Sequence, residues 1–230
     1  MRRISRRNKR LRLASILSLV LILGTVLCIL FFRYLYTKNQ AVDVKEASLT
    51  LSEMGAGRIV DDLLTPNKYS RPQIPLEKVK GVVVHYTANP GTGAKANRNY
   101  FNNLPKINKE KGTNTYASSN FIIDIDGKIL RIVPETEVAY ASNERNQDTI
   151  SIECCYVNED GSFTEPTYES LVWLLSIVCR SYQLDTNEII RHYDVTGKNC
   201  PKYYVEHEKE WTRLKEDVDK EIKSAQSVLP

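Results

Sequence analysis

Leu13 to Phe32 is a run of twenty residues without a single charge. Coiled into a helix it reaches about 30 Å, the thickness of a bilayer's hydrocarbon core. Seven basic residues lie between Arg2 and Arg12 ahead of it, and Arg33, Tyr34 and Tyr36 follow it, as at a membrane interface. A cleaved signal peptide is the other reading. Its apolar region is about 7–15 residues long and ends at a small-x-small cleavage site, whereas here the exit reads Arg33-Tyr-Leu-Tyr-Thr-Lys-Asn39. The expectation is an uncleaved transmembrane anchor over 13–32 behind a basic cytoplasmic tail, 1–12. The positive-inside rule then leaves 37–230 on the outer face of the cell membrane.

The charge balance separates the same two regions. Residues 1–42 hold nine Lys or Arg and no acid, which leaves 23 basic against 28 acidic residues beyond them. A slightly acidic body argues against nucleic acid as a partner, because phosphate binding needs a basic face. With 42% hydrophobic and 26% charged residues in 230, the chain carries enough apolar material for one sizeable domain. Of five cysteines, Cys28 lies in the apolar run, and Cys154, Cys155, Cys179 and Cys200 lie beyond it with no C-x-x-C spacing. That is too few for a disulfide scaffold. Cys154 and Cys179 read as small buried apolar residues, while Cys200 stands in a polar loop beside Gly197 and Pro201.

Residues 33–56 are polar and mixed and read as a stalk, leaving 57–225 for the domain. The prolines of Pro66-Asn-Lys-Tyr-Ser-Arg-Pro-Gln-Ile-Pro75 break regular structure, so the chain enters the domain as an irregular wrap. After it, strands and helices alternate. Gly81–Thr87 is β-branched and apolar, a buried strand. Ala94–Leu104 reads as a helix. Asn120–Ile125 and Lys128–Val133 read as a hairpin about Asp126-Gly127, whose residues suit positive φ. Thr149–Cys155 alternates as a strand. Pro166–Tyr182 repeats apolar residues at helical spacing, as does Glu206–Lys223, and Glu188–His192 is a short strand. The pattern predicts an α/β domain, a mixed central sheet flanked by helices.

Three histidines occur, His85, His192 and His207, and the first two close apolar strands. Strand ends are where side chains of an α/β sheet reach a shared crevice. Cys200 follows His192 by eight residues. Two imidazoles and a thiolate suit Zn²⁺, and three protein ligands leave one tetrahedral position open for water. Each residue also has a plain structural reading, a strand-end histidine satisfied by its neighbours or a cysteine in a loop. Glu153 shares a strand face with Thr149, Ser151 and Cys155, opposite Ile150, Ile152 and Cys154. A carboxylate there is costly to bury unpaired. It is either one half of a salt bridge or a general base beside a metal-bound water. Lys198 is either a solvated loop lysine or a cation placed to stabilise an oxyanion.

Four segments in order resemble one family: Val82-Val-Val-His-Tyr-Thr-Ala-Asn-Pro-Gly91, Ala117-Ser-Ser-Asn-Phe-Ile-Ile-Asp124, Ile150-Ser-Ile-Glu153 and Arg191-His-Tyr-Asp-Val-Thr-Gly-Lys-Asn-Cys-Pro201. They are similar to the motifs of the zinc-dependent N-acetylmuramoyl-L-alanine amidases, over roughly residues 57–220. The resemblance implies a mixed sheet flanked by helices, zinc ligands at His85, His192 and Cys200, a catalytic carboxylate at Glu153 and an assisting cation at Lys198. It also implies hydrolysis of the amide joining N-acetylmuramic acid to L-alanine, with peptidoglycan and its muropeptides as partners. Family members that only recognise peptidoglycan usually lack the cysteine ligand, so Cys200 favours an enzyme. Three positions depart from the pattern. Asn120 stands where many members have His, and Ser119 where some have a catalytic Tyr; Tyr116 is near but not aligned, and no catalytic tyrosine is assigned. Tyr140 stands where several relatives carry Trp or His near the groove. The rival expectation is a domain on the membrane surface that binds muropeptides without cutting them.

Overall fold

The computed structural model describes residues 6–38 and 42–227, which fall into two compact units, 1–41 and 42–230. The first unit is helix α1 (Arg6–Lys38). Within it Ser15–Phe32 is long and apolar enough to cross a membrane, and its large apolar side chains are exposed. Length and composition fit an anchor, and a signal sequence meets the same test.

In the second unit, strand β2 (Val82–Tyr86) holds the middle of the functional half of the sheet. Its Val-Val-Val run is buried on both faces, as β-branched residues in a parallel sheet should be. The other strands are β1 (Ile59–Asp61), β3 (Phe121–Ile123), β4 (Ile129–Arg131), β5 (Ile150–Cys154) and β6 (Ile189–Arg191). Their order is β1-β4-β3-β5-β2-β6. β3, β5, β2 and β6 run parallel, and β4 is antiparallel to β3, so the sheet is mixed as expected.

One face of the sheet carries α2 (Val44–Met54), α5 (Glu165–Tyr182) and α8 (Glu208–Ser227). Their Leu51, Leu171, Leu174, Val178, Trp211 and Leu214 pack on Val82, Val84, Ile150 and Ile152. Helix α5 starts where Thr164 accepts a hydrogen bond from the Thr167 amide, with Pro166 in the first turn, and ends at Gln183 in the left-handed region. The opposite face is covered only in part, by a smaller cluster around Leu64, Ala94, Ile122, Ile132 and Cys155. Cys154 and Cys179 share the larger core, as their positions on strand and helix predict, and all four cysteines of this unit are unpaired.

The structure departs from the sequence reading at several elements. Residues 44–54, read as stalk, form α2, which buries Val44, Ala47 and Leu51 against the main core. The helix expected over 94–104 is two: α3 (Ala94–Asn102) ends, and α4 (Leu104–Lys111) restarts with Pro105 in its first turn, where its missing amide costs nothing. The helix expected over 206–223 is α8, which starts at Glu208; His207, outside helical geometry, separates it from a short helix that was not expected, α7 (Lys202–Glu206). In the Asp126-Gly127 turn only Gly127 takes positive φ, at 84°. A Cβ there would lie 2.6 Å from the Pro166 carbonyl, so this glycine also lets the turn seat against the start of α5. His192 is the first residue of α6 (His192–Thr196), one residue past β6.

Candidate active site

Strand register builds the site. β2 lies between β5 and β6, with His85 paired to Glu153 and Val84 paired to Arg191. Paired residues on neighbouring strands point to the same face, so Glu153 and His85 stand side by side, and His192 follows directly on Arg191. Val82 and Val84 face the main core, so His85, between Val84 and Tyr86, faces the side that is only partly covered. All of this is at the carboxyl ends of parallel strands, where the sheet opens.

Cys200 reaches the row from the loop after α6. Its Sγ lies 3.8 Å from His85 Nδ1, and the Tyr193 amide donates to the Cys200 carbonyl at 2.9 Å, closing the loop on itself. One ligand atom from each of His85, His192 and Cys200 lies within 4.8 Å of the others, and all three residues are buried. Arg191 fixes the other side of the loop. Its guanidinium pairs with Asp194 and Glu208 and donates to the Tyr204 carbonyl.

The electrostatics suit a cation. Burial, then the neighbouring His192 and Lys198, pushes His85 well below the ordinary histidine range. Burial and Lys198 lower His192 as well. Both rings are therefore neutral near pH 7 and able to donate a lone pair. Burial pushes the Cys200 thiol up to about 12, with Glu153 adding to the rise, so the sulfur is protonated unless a cation draws the proton off. Burial pushes Glu153 up to about 8 against the opposing charge of Lys198. Its Oε2 is buried with no hydrogen-bond partner, and among the described residues no salt bridge explains this carboxylate structurally. His192 Nδ1 is also buried and unpartnered. Two neutral imidazoles, one with an orphaned ring nitrogen, and a thiol, gathered this closely, fit a metal ion.

The cluster forms the floor of a groove of about 410 Å³. His85, Glu153, His192, Cys200 and the exposed Lys198 line it, with Tyr86, Phe101, Tyr116, Tyr140 and Asn143 in its walls. The five residues singled out from sequence thus meet in one place. His207 does not: its Nδ1 bonds the Tyr203 carbonyl and its ring stacks on Tyr203. Tyr116 and Tyr140 pack edge to face at 5.5 Å, and Tyr69 abuts Tyr116 at 5.2 Å, forming a row of three rings. Asn120 and Ser119 are fully buried and outside the groove lining. Asn120 accepts from the Ser151 amide and donates toward the Pro134 carbonyl, tying β5 to the loop after β4. Sequence reasoning missed Ser142 and Asn143, which hydrogen-bond the two histidines. Their only local signal is a polar stretch, Ser142-Asn-Glu-Arg-Asn-Gln147, placed just before a strand.

Comparison with known proteins agrees with this geometry. The family model described as N-acetylmuramoyl-L-alanine amidase matches residues 75–203. The N-acetylmuramoyl-L-alanine amidase CwlL of Bacillus licheniformis is 35% identical over 174 residues, 70% of this chain and 47% of that protein. The N-acetylmuramoyl-L-alanine amidase BlyA of Bacillus subtilis (strain 168) is 34% identical over 173 residues, 66% of this chain and 44% of that protein. The chain thus spans about half the length of the curated relatives it matches. Among solved structures, the PlyG catalytic domain superposes with a TM-score of 0.58 at 22% identity, covering 71% of this chain and 94% of that one. The catalytic domain of XlyA gives 0.57 at 22% identity, covering 70% and 98%. At these identities the two structures speak for the fold alone.

Proposed function

This chain belongs to the N-acetylmuramoyl-L-alanine amidase family, and from that premise we propose that it hydrolyses the amide between N-acetylmuramic acid and the L-alanine of the peptidoglycan stem peptide. His85, His192 and Cys200 would hold Zn²⁺. The observation that carries the reading is Glu153: a buried, unpartnered carboxylate oxygen set in register beside a three-ligand cluster on the floor of an open groove. A module that only binds has no use for so costly a group.

Bound there, zinc supplies Lewis-acid polarisation of a carbonyl and acidifies water toward neutral pH. Glu153 accepts the proton of the attacking water. The same carboxyl then returns that proton to the departing alanine nitrogen, which leaves poorly as an anion. Lys198, on the groove wall, offers its ammonium to the negative charge that builds on the carbonyl oxygen. The aromatic walls bury the substrate's apolar surface and keep bulk water from the reacting atoms. The apolar helix α1 supports an anchor in the cell membrane, with 1–12 in the cytoplasm and the domain on the outer face, where it meets peptidoglycan.

The test is N-terminal labelling of purified peptidoglycan after incubation with the full chain and zinc. The reading expects new free L-alanine α-amino groups and no other new amine. Binding to the polymer with no new amine would replace the enzyme with a recognition module. A different amino-terminal residue would move the cut to another stem-peptide bond.

A further inference from the structure

The two histidines are oriented from one loop. His85 Nε2 lies 3.2 Å from Ser142 Oγ, and His192 Nε2 lies 3.1 Å from Asn143 Oδ1. Consecutive residues thus take the same nitrogen of both rings. An amide oxygen only accepts, so His192 Nε2 must carry the hydrogen and Nδ1 must carry the lone pair. That Nδ1 is the buried atom with no partner. For His85 the remaining nitrogen, Nδ1, faces Cys200 Sγ at 3.8 Å. We propose that Asn143 and Ser142 are positioning residues: Asn143 fixes the tautomer and ring plane of His192, and Ser142 holds the ring plane of His85, so that both rings turn Nδ1 toward the metal. This rests on the metal-site reading above.

The loop is built to hold that geometry. Asn146 Oδ1 accepts from the amides of Ala141, at 3.0 Å, and Ser142, at 2.6 Å. The Arg145 amide donates to the Ser142 carbonyl at 2.9 Å, and Thr149 Oγ1 donates to the Arg145 carbonyl at 2.7 Å. Asn143 itself sits at φ 52°, a left-handed conformation that asparagine tolerates better than most residues. Ser142 is 1% exposed, so water does not replace its hydroxyl. Without the Asn143 acceptor the His192 imidazole is free to place its hydrogen on Nδ1, and without Ser142 the His85 ring is free to turn. A ring with its hydrogen on Nδ1 aims an N–H at the other ligands and cannot donate a pair to the ion. Partners of this kind fix a ligand's tautomer and raise its basicity, and their loss typically weakens metal binding about 10–100-fold.

The experiment is zinc affinity of the full chain in detergent micelles, read by chelator competition, together with the visible spectrum of the cobalt-substituted protein. Asn143→Gly deletes the acceptor and keeps the left-handed backbone unstrained. It should weaken zinc about 10–100-fold and alter the cobalt bands, while metal-free melting stays where it was. Asn143→Asp restores an acceptor and should restore both affinity and spectrum. Ser142→Ala should weaken zinc and shift the bands through the other ring. Wild-type affinity and spectrum in Asn143→Gly would overturn the inference and leave the metal site standing. If the unmutated chain binds neither zinc nor cobalt, the metal-site reading falls and this inference with it.

Discussion

Loading the site with zinc should release protons in a number that the groove's burial sets. Without metal, Cys200 holds its proton to about pH 12 and Glu153 to about pH 8, while both histidines are shifted down and hold none near neutrality. Zinc needs the thiolate, so Cys200 gives up one proton at any working pH. A divalent cation beside Glu153 holds its carboxylate ionised, so below about pH 8 a second proton leaves. Zinc affinity should therefore rise about 100-fold per pH unit between roughly 6.5 and 7.5, or ~2.7 kcal/mol, and about tenfold per unit above 8. The sign for stability follows. Glu153's folded value lies above its unfolded one, so its contribution to the metal-free fold is full below about pH 4.5 and is lost as pH rises through 8. The zinc-loaded chain escapes this loss, so the gap between loaded and unloaded melting temperatures should widen from pH 5 to 8. Titration calorimetry in buffers of different ionisation enthalpy counts the protons directly. About two at pH 7, falling to one in Glu153→Gln, is the expected result. Fewer than one in the unmutated chain, or no change in Glu153→Gln, would refute the reasoning.

Other perturbations reach other parts of the molecule. Tyr116→Ala removes the middle of the three-ring row; if that row only binds substrate, KM should rise several-fold with kcat held, and steady-state kinetics on muropeptides separate the two. Leu174→Ala, at a fully buried position in α5, should cost about 2–5 kcal/mol in urea unfolding with zinc stoichiometry intact. Edman sequencing of the cellular protein should find the start of the chain upstream of α1; a mature N-terminus near residue 40 would make α1 a signal sequence and the protein secreted.

Strand chemistry made most of the site legible. Val82–Val84 could only be a buried strand, and the alternation in Ile150-Ser-Ile-Glu153 placed Glu153 on the face away from Ile150 and Ile152, as the two cores show. A strand-end position singled out His85, and face alternation singled out Glu153, before register paired them. Helix α2 was hidden because its apolar face is only Val44, Ala47 and Leu51 in an otherwise polar segment, and its partner α5 lies over a hundred residues away. The start of α4 was missed, although Pro105 in its first turn suits a helix beginning there. Ser142 and Asn143 could not be read at all. Their meaning lies in contacts to rings 57 and 49 residues distant, and no local pattern encodes those.

The central claim is that Glu153 moves the proton in amide hydrolysis at the His85, His192 and Cys200 cluster. Its most direct test compares the zinc-loaded chain with Glu153→Gln by mass spectrometry of digested muropeptides, alongside zinc content and muropeptide affinity for each. The account predicts that the unmutated chain separates N-acetylmuramic acid from L-alanine. Glu153→Gln should keep its zinc and its affinity, and cut at least about 100-fold more slowly. An unchanged rate in Glu153→Gln, with zinc still bound, would contradict it.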